Sequence, residues 1–139
     1  MMENAALIQK ITDYIENHLS EELDLDRVAD IAGYSKFHLN RIFSEITGCT
    51  IHRYIQRRRL TESARQLIFT EKSIVEIAFA AGYESQQSYS LAFRNLYCNS
   101  PQEFRKKREF RPVQLAYSGK LQIRRHHSAV TMKCGVKAA

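Results

Sequence analysis

Residues 36–41, KFHLNR, place three side chains that can bond a DNA base edge on one side of a single helix. Read as a helix from Lys36, the stretch sends Leu39, Ile42 and Phe43 one way and Phe37, Asn40 and Arg41 the other. Each of the three has a definite chemistry in a major groove. Arg41 can donate two hydrogen bonds to O6 and N7 of guanine, Asn40 can bracket adenine, and Phe37 can pack on a thymine methyl. A good contact of this kind discriminates by about 1–3 kcal/mol. The plain alternatives are a surface ion pair for Arg41 and a core position for Phe37. About fifty residues on, ESQQSYS offers Gln86, Gln87 and Ser90, which suit adenine or phosphate, or merely begin a helix. Ser35, Lys36, Arg57, Arg58, Arg94 and Lys106, with Arg59, are candidates for phosphate contacts, which position without reading sequence. Arg57, Arg58 and Arg59 span most of a helical turn, so at least one must face away from any single partner.

Those side chains need rigid elements, and the hydrophobic period supplies them. Leu7, Ile8, Ile11, Ile15 and Leu19 recur at helical steps and predict a helix over about 5–19. A second helix is expected over 25–32, started near Asp24 and left through Gly33. A third, over 36–47, is capped by Ser35 and stopped by Gly48. A long one follows over 51–69, roughly 30 Å in length. Ser73 then caps IVEIAFAAG, a further helix covers SQQSYSLAFRNLYC, and Pro101 opens a short last one.

This pattern is an internal repeat. At an offset of 49, Ala29 and Gly33 match Ala78 and Gly82; past the turn the offset becomes 50, pairing Leu39 with Tyr89 and Phe43 with Phe93. A short helix, a turn with glycine, then a helix with one polar face is the helix-turn-helix arrangement, here used twice. The small Ala29 admits the crossing helix, Gly33 relieves the turn and Leu39 plugs the crossing. The expected fold is therefore all-α, two helix-turn-helix subdomains joined by a long linker helix, with a non-helical basic tail. The expected boundaries are 1–50, 51–69, 70–108 and 109–139.

Charge is distributed to match. Residues 1–30 hold eight acids against Lys10 and Arg27, whereas residues 31–108 hold 13 basic side chains against 6 acidic, a net +7. A basic middle beside an acidic start is what a polyanion partner would require, although a mixed solvated surface also satisfies it.

Other classes are poorly supported. There is no nucleophile and base at motif spacing, no phosphate-cradling glycine loop and no HExxH, so no enzyme and no cofactor are expected. Cys49, Cys98 and Cys134 form no CxxC and read as free thiols, and His126 and His127 lack partners at metal spacing. No apolar run is long enough to span a bilayer and no signal-peptide core is present, which implies a cytoplasmic protein associated with the nucleoid.

The stretches AGYSKFHLNRIFSEITG, YIQRRRLTESARQL and SIVEIAFAAGYESQQSYSLAFRNLYCNSPQEFR closely resemble the AraC/XylS family of bacterial transcription regulators, most of all its stand-alone and Rob-like activators. The resemblance covers about residues 5–108. It implies a DNA-binding domain, monomeric on double-stranded promoter DNA, that recruits RNA polymerase. By motif position it places Phe37, Asn40 and Arg41 in one major groove and Gln86, Gln87 and Ser90 in the next. Phe37 stands where relatives commonly carry Trp, Asn40 where they carry Gln, and Leu91 where Arg is frequent. The last departure implies that the second helix reads sequence weakly and leaves specificity chiefly to residues 36–44. The competing class is a protein-interaction module that holds RNA polymerase or a sigma factor.

In the tail, VQLAYSGKLQIRR alternates on both sides of Ser118-Gly119 and reads as a hairpin. Set beside the resemblance, LQIRR would be the stub of the first strand of a ligand-sensing domain, which would bring a small-molecule effector. The simpler expectation is a basic, partly disordered tail that adds non-specific affinity.

Overall fold

A computed structural model describes residues 4–117 of the chain. The described residues form seven helices: α1 Asn4–Asn17, α2 Leu25–Ala32, α3 Lys36–Thr47, α4 Ile51–Phe69, α5 Ile74–Ala80, α6 Gln86–Tyr97 and α7 Pro101–Lys107. No strand is present among them. The expected all-α class is the observed one.

Local chemistry accounts for nearly every helix end. Ser35, Thr50, Ser73, Ser85 and Ser100 each accept a hydrogen bond from the amide three residues on, supplying a partner that the first turn lacks. At Ser73 and Ser100 the glutamate at the third helical position answers in return. Gly33 (φ 79°) and Gly82 (φ 92°) take the left-handed conformation that turns the chain between the two helices of each unit. α1 stops at Asn17 rather than 19, because the His18 amide bonds the Ile15 carbonyl three residues back and tightens the end.

Two cores result, one per repeat. Leu7, Ile8, Ile11, Ile15, Val28, Ala29, Leu39, Ile42, Phe43 and the start of α4 make the first. The end of α4 with Ile77, Ala78, Tyr89, Phe93, Tyr97 and Phe104 makes the second. Ala29 and Ala78 are buried where the helices of each pair cross, as the repeat requires. Because α4 serves both cores, its buried positions run around much of its circumference and include Ile51, Tyr54, Arg58, Leu60, Thr61 and Leu67. It is the shared beam of the molecule.

Residues 109–117 correct one expectation. They form no strand and are not loose: the segment runs back along α4 in irregular conformation. Phe110 packs edge-to-face on Phe69 with the Arg65 guanidinium over its ring at 4.8 Å. The Gln114 amide donates to Thr61 Oγ1 at 3.0 Å, and the Tyr117 amide donates to the Tyr54 hydroxyl at 2.8 Å. Phe110 and Val113 thus join the second core and Tyr117 joins the first. The rest of the expected hairpin lies outside the described residues. Cys49 is a buried free thiol, whereas Cys98 is disulfide-bonded, so the reading of all three cysteines as free is corrected. An odd number of cysteines excludes full pairing but not one bond.

Candidate nucleic-acid interface

The outer face of α3 is built as the spacing predicts. Leu39, Ile42 and Phe43 are buried, which forces the opposite side outward. Phe37 is 90% exposed, far more than any core role permits, and Arg41 is exposed beside it with no ion pair among the described residues. The phenyl ring and the neighbouring guanidinium are thus both open to a partner. Ser35 acts first as a cap, accepting from the His38 amide at 3.2 Å. Lys36 extends to Asp26 at 3.1 Å, a pair of exposed side chains that water weakens and phosphate can displace.

Asn40 departs from expectation. It is only partly exposed, and its Oδ1 accepts the Ile51 amide at 3.0 Å, capping the start of α4. Bracketing adenine needs an acceptor as well as a donor, and at Asn40 one of the two lone pairs of the acceptor is already engaged, so its amide N–H is the group left freest for a base. It fastens α3 to the linker helix.

On α6, Tyr89, Phe93 and Tyr97 are buried and Gln86, Gln87, Ser88, Leu91, Arg94 and Asn95 are exposed, with Ser90 between the two classes. Ser85 caps this helix through the Ser88 amide at 3.1 Å. Leu91 is 63% exposed in the middle of that polar face. Between α4 and α6 runs a groove of about 430 Å³, lined by Arg53, Gln56 and Arg57 on one wall and Ser88, Leu91 and Asn95 on the other. Arg53 and Gln56 were not singled out in the sequence, although their spacing from Arg57 and Leu60 is the signal that aims them at one neighbour.

The arginine cluster is mostly structural. Arg58 is buried; its Nε and Nη2 donate to both oxygens of Glu16 at 2.8 Å, Nη2 also reaches Glu62 at 3.0 Å, and Nη1 donates to the Gln114 carbonyl at 2.7 Å. Burial pulls its pKa down, but the two carboxylates more than offset that and leave it raised. Four of its five N–H donors are engaged inside the molecule and the side chain is buried, so the expected phosphate role of Arg58 does not fit its place. Arg59 likewise donates to the carbonyls of Leu19 and Glu21, tying off the end of the first unit. Arg105 does the same at the end of α4, through the carbonyls of Leu67 and Lys72. Arg57 is withdrawn too, its guanidinium pKa lowered by burial and then by the neighbouring Arg53. Among the exposed cations are Lys36, Arg41, Arg53, Arg94 and Lys106.

No group of three or more His, Cys, Asp or Glu side chains suited to a metal occurs among the described residues. No helix among the described residues is long and apolar enough to cross a membrane.

With this geometry in hand, likeness to known proteins is informative. A family model described as a helix-turn-helix domain matches residues 28–107. The chain is 39% identical over 109 residues to the right origin-binding protein of Escherichia coli strain K12, covering 78% of this chain but only 38% of that protein's length. It is 38% identical over 104 residues to the regulatory protein SoxS of Salmonella typhimurium, covering 75% of this chain and 97% of the relative. Among solved structures it resembles a transcriptional regulator with an AraC-type DNA-binding domain from Chromobacterium violaceum, with a TM-score of 0.71 at 30% identity, covering 74% of this chain and 92% of that one. It also shares the fold of the DNA-binding domain of AdpA, solved with a target DNA, at a TM-score of 0.67 and 24% identity over 72% of this chain and 90% of that one.

Proposed function

The chain belongs to the AraC-type helix-turn-helix regulators, and from that premise we propose that it regulates transcription by binding one asymmetric double-stranded promoter site, with α3 and α6 in adjacent major grooves. The observation that carries this reading is the pair of exposed helix faces at matched positions of the repeat, held at either end of one rigid helix. α4 has 19 residues, hence a length of roughly 28 Å, against about 34 Å between successive major grooves on one side of the duplex. A single copy can engage both, with a modest bend in the DNA.

In this reading Arg41 and Phe37 read bases in the first groove, and Asn40 contributes at most its amide donor. Gln86 and Gln87, with the half-buried Ser90, read the second groove. Lys36, Arg94 and Lys106 hold phosphates, and Ser35 adds its hydroxyl at the mouth of α3. Asp24, Asp26 and Asp30, with Arg27 and Ile31, line a shallow, net-acidic concavity at α2 and its cap. That face repels phosphate and is the one we assign to RNA polymerase once the protein sits on a promoter. We place the protein on the chromosome, in the cytoplasm, as a monomer and as an activator. The chain spans well under half the length of the right origin-binding protein.

The test is selection of bound sites from a random duplex pool with the wild-type chain and with Arg41→Ala. The expected result is two elements about one helical turn apart, with one guanine preference lost in the variant. Failure of the wild type to enrich any sequence would leave the basic surface as a general DNA binder and move a protein partner to the front.

A further inference from the structure

We infer that Leu91 reads thymine methyl groups, so that the DNA element under α6 is an A/T step recognised through its 5-methyls rather than a position read weakly. This rests on the DNA-binding reading above and deepens it.

Leu91 lies three residues from Ser88 and Arg94 and four from Gln87 and Asn95, so these five share one helix face. All five are exposed, and Leu91, at 63%, is the apolar centre of an otherwise hydrogen-bonding surface. Packing does not hold it there, since the core side of α6 is filled by Tyr89, Phe93 and Tyr97. The repeat sharpens the point, because Leu91 stands fifty residues after Arg41 at the matching place in the second unit. One recognition helix therefore presents a guanidinium where the other presents an isobutyl group, and the two ask for opposite base chemistry.

In the major groove, thymine alone among the four bases offers a methyl group. A leucine set against a G·C pair would instead cover the cytosine amine or the guanine oxygen without bonding it, which is costly. The neighbouring side chains fit the same step. A glutamine that brackets adenine lies over a base pair whose other member, thymine, displays its methyl in the same groove. Gln86 and Gln87 are both exposed and one to two turns before Leu91. Arg53, exposed on the other wall of the adjoining groove, supplies positive charge along the rim, so that the backbone is drawn in while the leucine is pressed against the bases.

The experiment takes the selected site and replaces the thymines of the α6 element by uracil, which removes only the methyl. Affinity is measured by competition at one fixed salt concentration. Each critical uracil should weaken the wild type roughly fourfold, the value of one methyl withdrawn from water. Leu91→Ala should bind thymine and uracil sites equally, with its helical circular dichroism and melting unchanged. Leu91→Arg, put through the same selection, should exchange the thymine for guanine. A wild type indifferent to uracil, or a Leu91→Ala variant that keeps the difference, overturns the assignment of Leu91 while leaving sequence-specific binding in place. A wild type that selects no site overturns the functional reading as well, so the two failures are distinct.

Discussion

Arg58 offers the sharpest separation between side chains that hold the fold and side chains that hold DNA. It lies in the most basic run of the chain and is the natural first choice for a phosphate contact, yet four of the five donors on its buried guanidinium are spent inside the molecule. Consider Arg58→Met, which keeps the aliphatic stem and deletes the charged head. Glu16 and Glu62 would lose their cation, and the Gln114 carbonyl would lose its buried donor. Removing one member of a fully buried pair costs about 3–5 kcal/mol. The carboxylates here are 31% and 33% exposed and can rehydrate in part. We therefore expect about 2–3 kcal/mol, toward the lower end. In a chain of this size that lowers the melting temperature by roughly 8–12 °C.

The DNA side of the prediction is the opposite. One phosphate contact contributes about 0.9 to the slope of log affinity against log salt. Well below its melting temperature, Arg58→Met should keep the wild-type slope. Lys36→Ala should lower that slope by about 0.9 while costing less than about 1 kcal/mol of stability, since its pair with Asp26 is exposed. Melting curves and salt titrations of the two variants decide the matter. If Arg58→Met melted like the wild type and lost a full phosphate from its slope, the buried network would be wrong and the cluster would face the DNA after all.

Three further outcomes follow from the same structure. Phe37→Ala should leave stability within about 0.5 kcal/mol, because the ring is 90% exposed, while weakening the selected site; a clear loss of stability would return Phe37 to the core. A chain ended at Arg108 loses the Gln114 and Tyr117 bonds to α4, at about 1 kcal/mol each before the recovered chain entropy. With disulfides reduced in both chains, urea unfolding should show it about 1–2 kcal/mol less stable, and an unchanged midpoint would mean that the segment is an idle tail. Burial, the first cause in each case, pushes the phenols of Tyr54 and Tyr97 up to about 12. A folded pKa above the ordinary value near 10 means that their stabilisation is complete below pH 10 and fades as pH rises from there toward 12. Tyr54→Phe and Tyr97→Phe should each flatten that alkaline decline, and a decline of equal depth in both would refute the burial of these hydroxyls.

What could be read from the chain, and what could not, divides along sequence distance. The limits of α3 and α4 were legible because each is written locally: a serine or threonine cap, a periodic apolar face, then a glycine or a polar stop. The second unit was legible because it repeats the first. The base-facing side of α3 followed from knowing which side was apolar, and Phe37 and Arg41 lie where that logic puts them. Asn40, Arg58, Arg59 and Arg105 were misjudged or passed over for one common reason. Their partners are Ile51, Glu16, Leu19 and Leu67, distant in sequence, and nothing in a local window marks them. Three of these four are arginines, and three of the bonds end on backbone atoms where helices begin or stop. A guanidinium can tie off a helix end and a phosphate with the same donors, so residue type alone cannot separate the two uses. The separation comes from topology. In the first unit, Arg58 and Arg59 face α1 because Ile55 and Leu60 on the same helix must reach their own cores. In the second, Arg105 faces back because Phe104 is buried beside it. Once those requirements are met, few outward positions on α4 remain near either recognition helix, and Arg53 and Gln56 hold two of them. The linker helix thus contributes most of its charge to keeping the two readers in register and little of it to the DNA. On the reading proposed above, specificity falls to side chains that the fold can spare, which are Phe37 and Arg41 at one end and Gln86, Gln87 and Leu91 at the other.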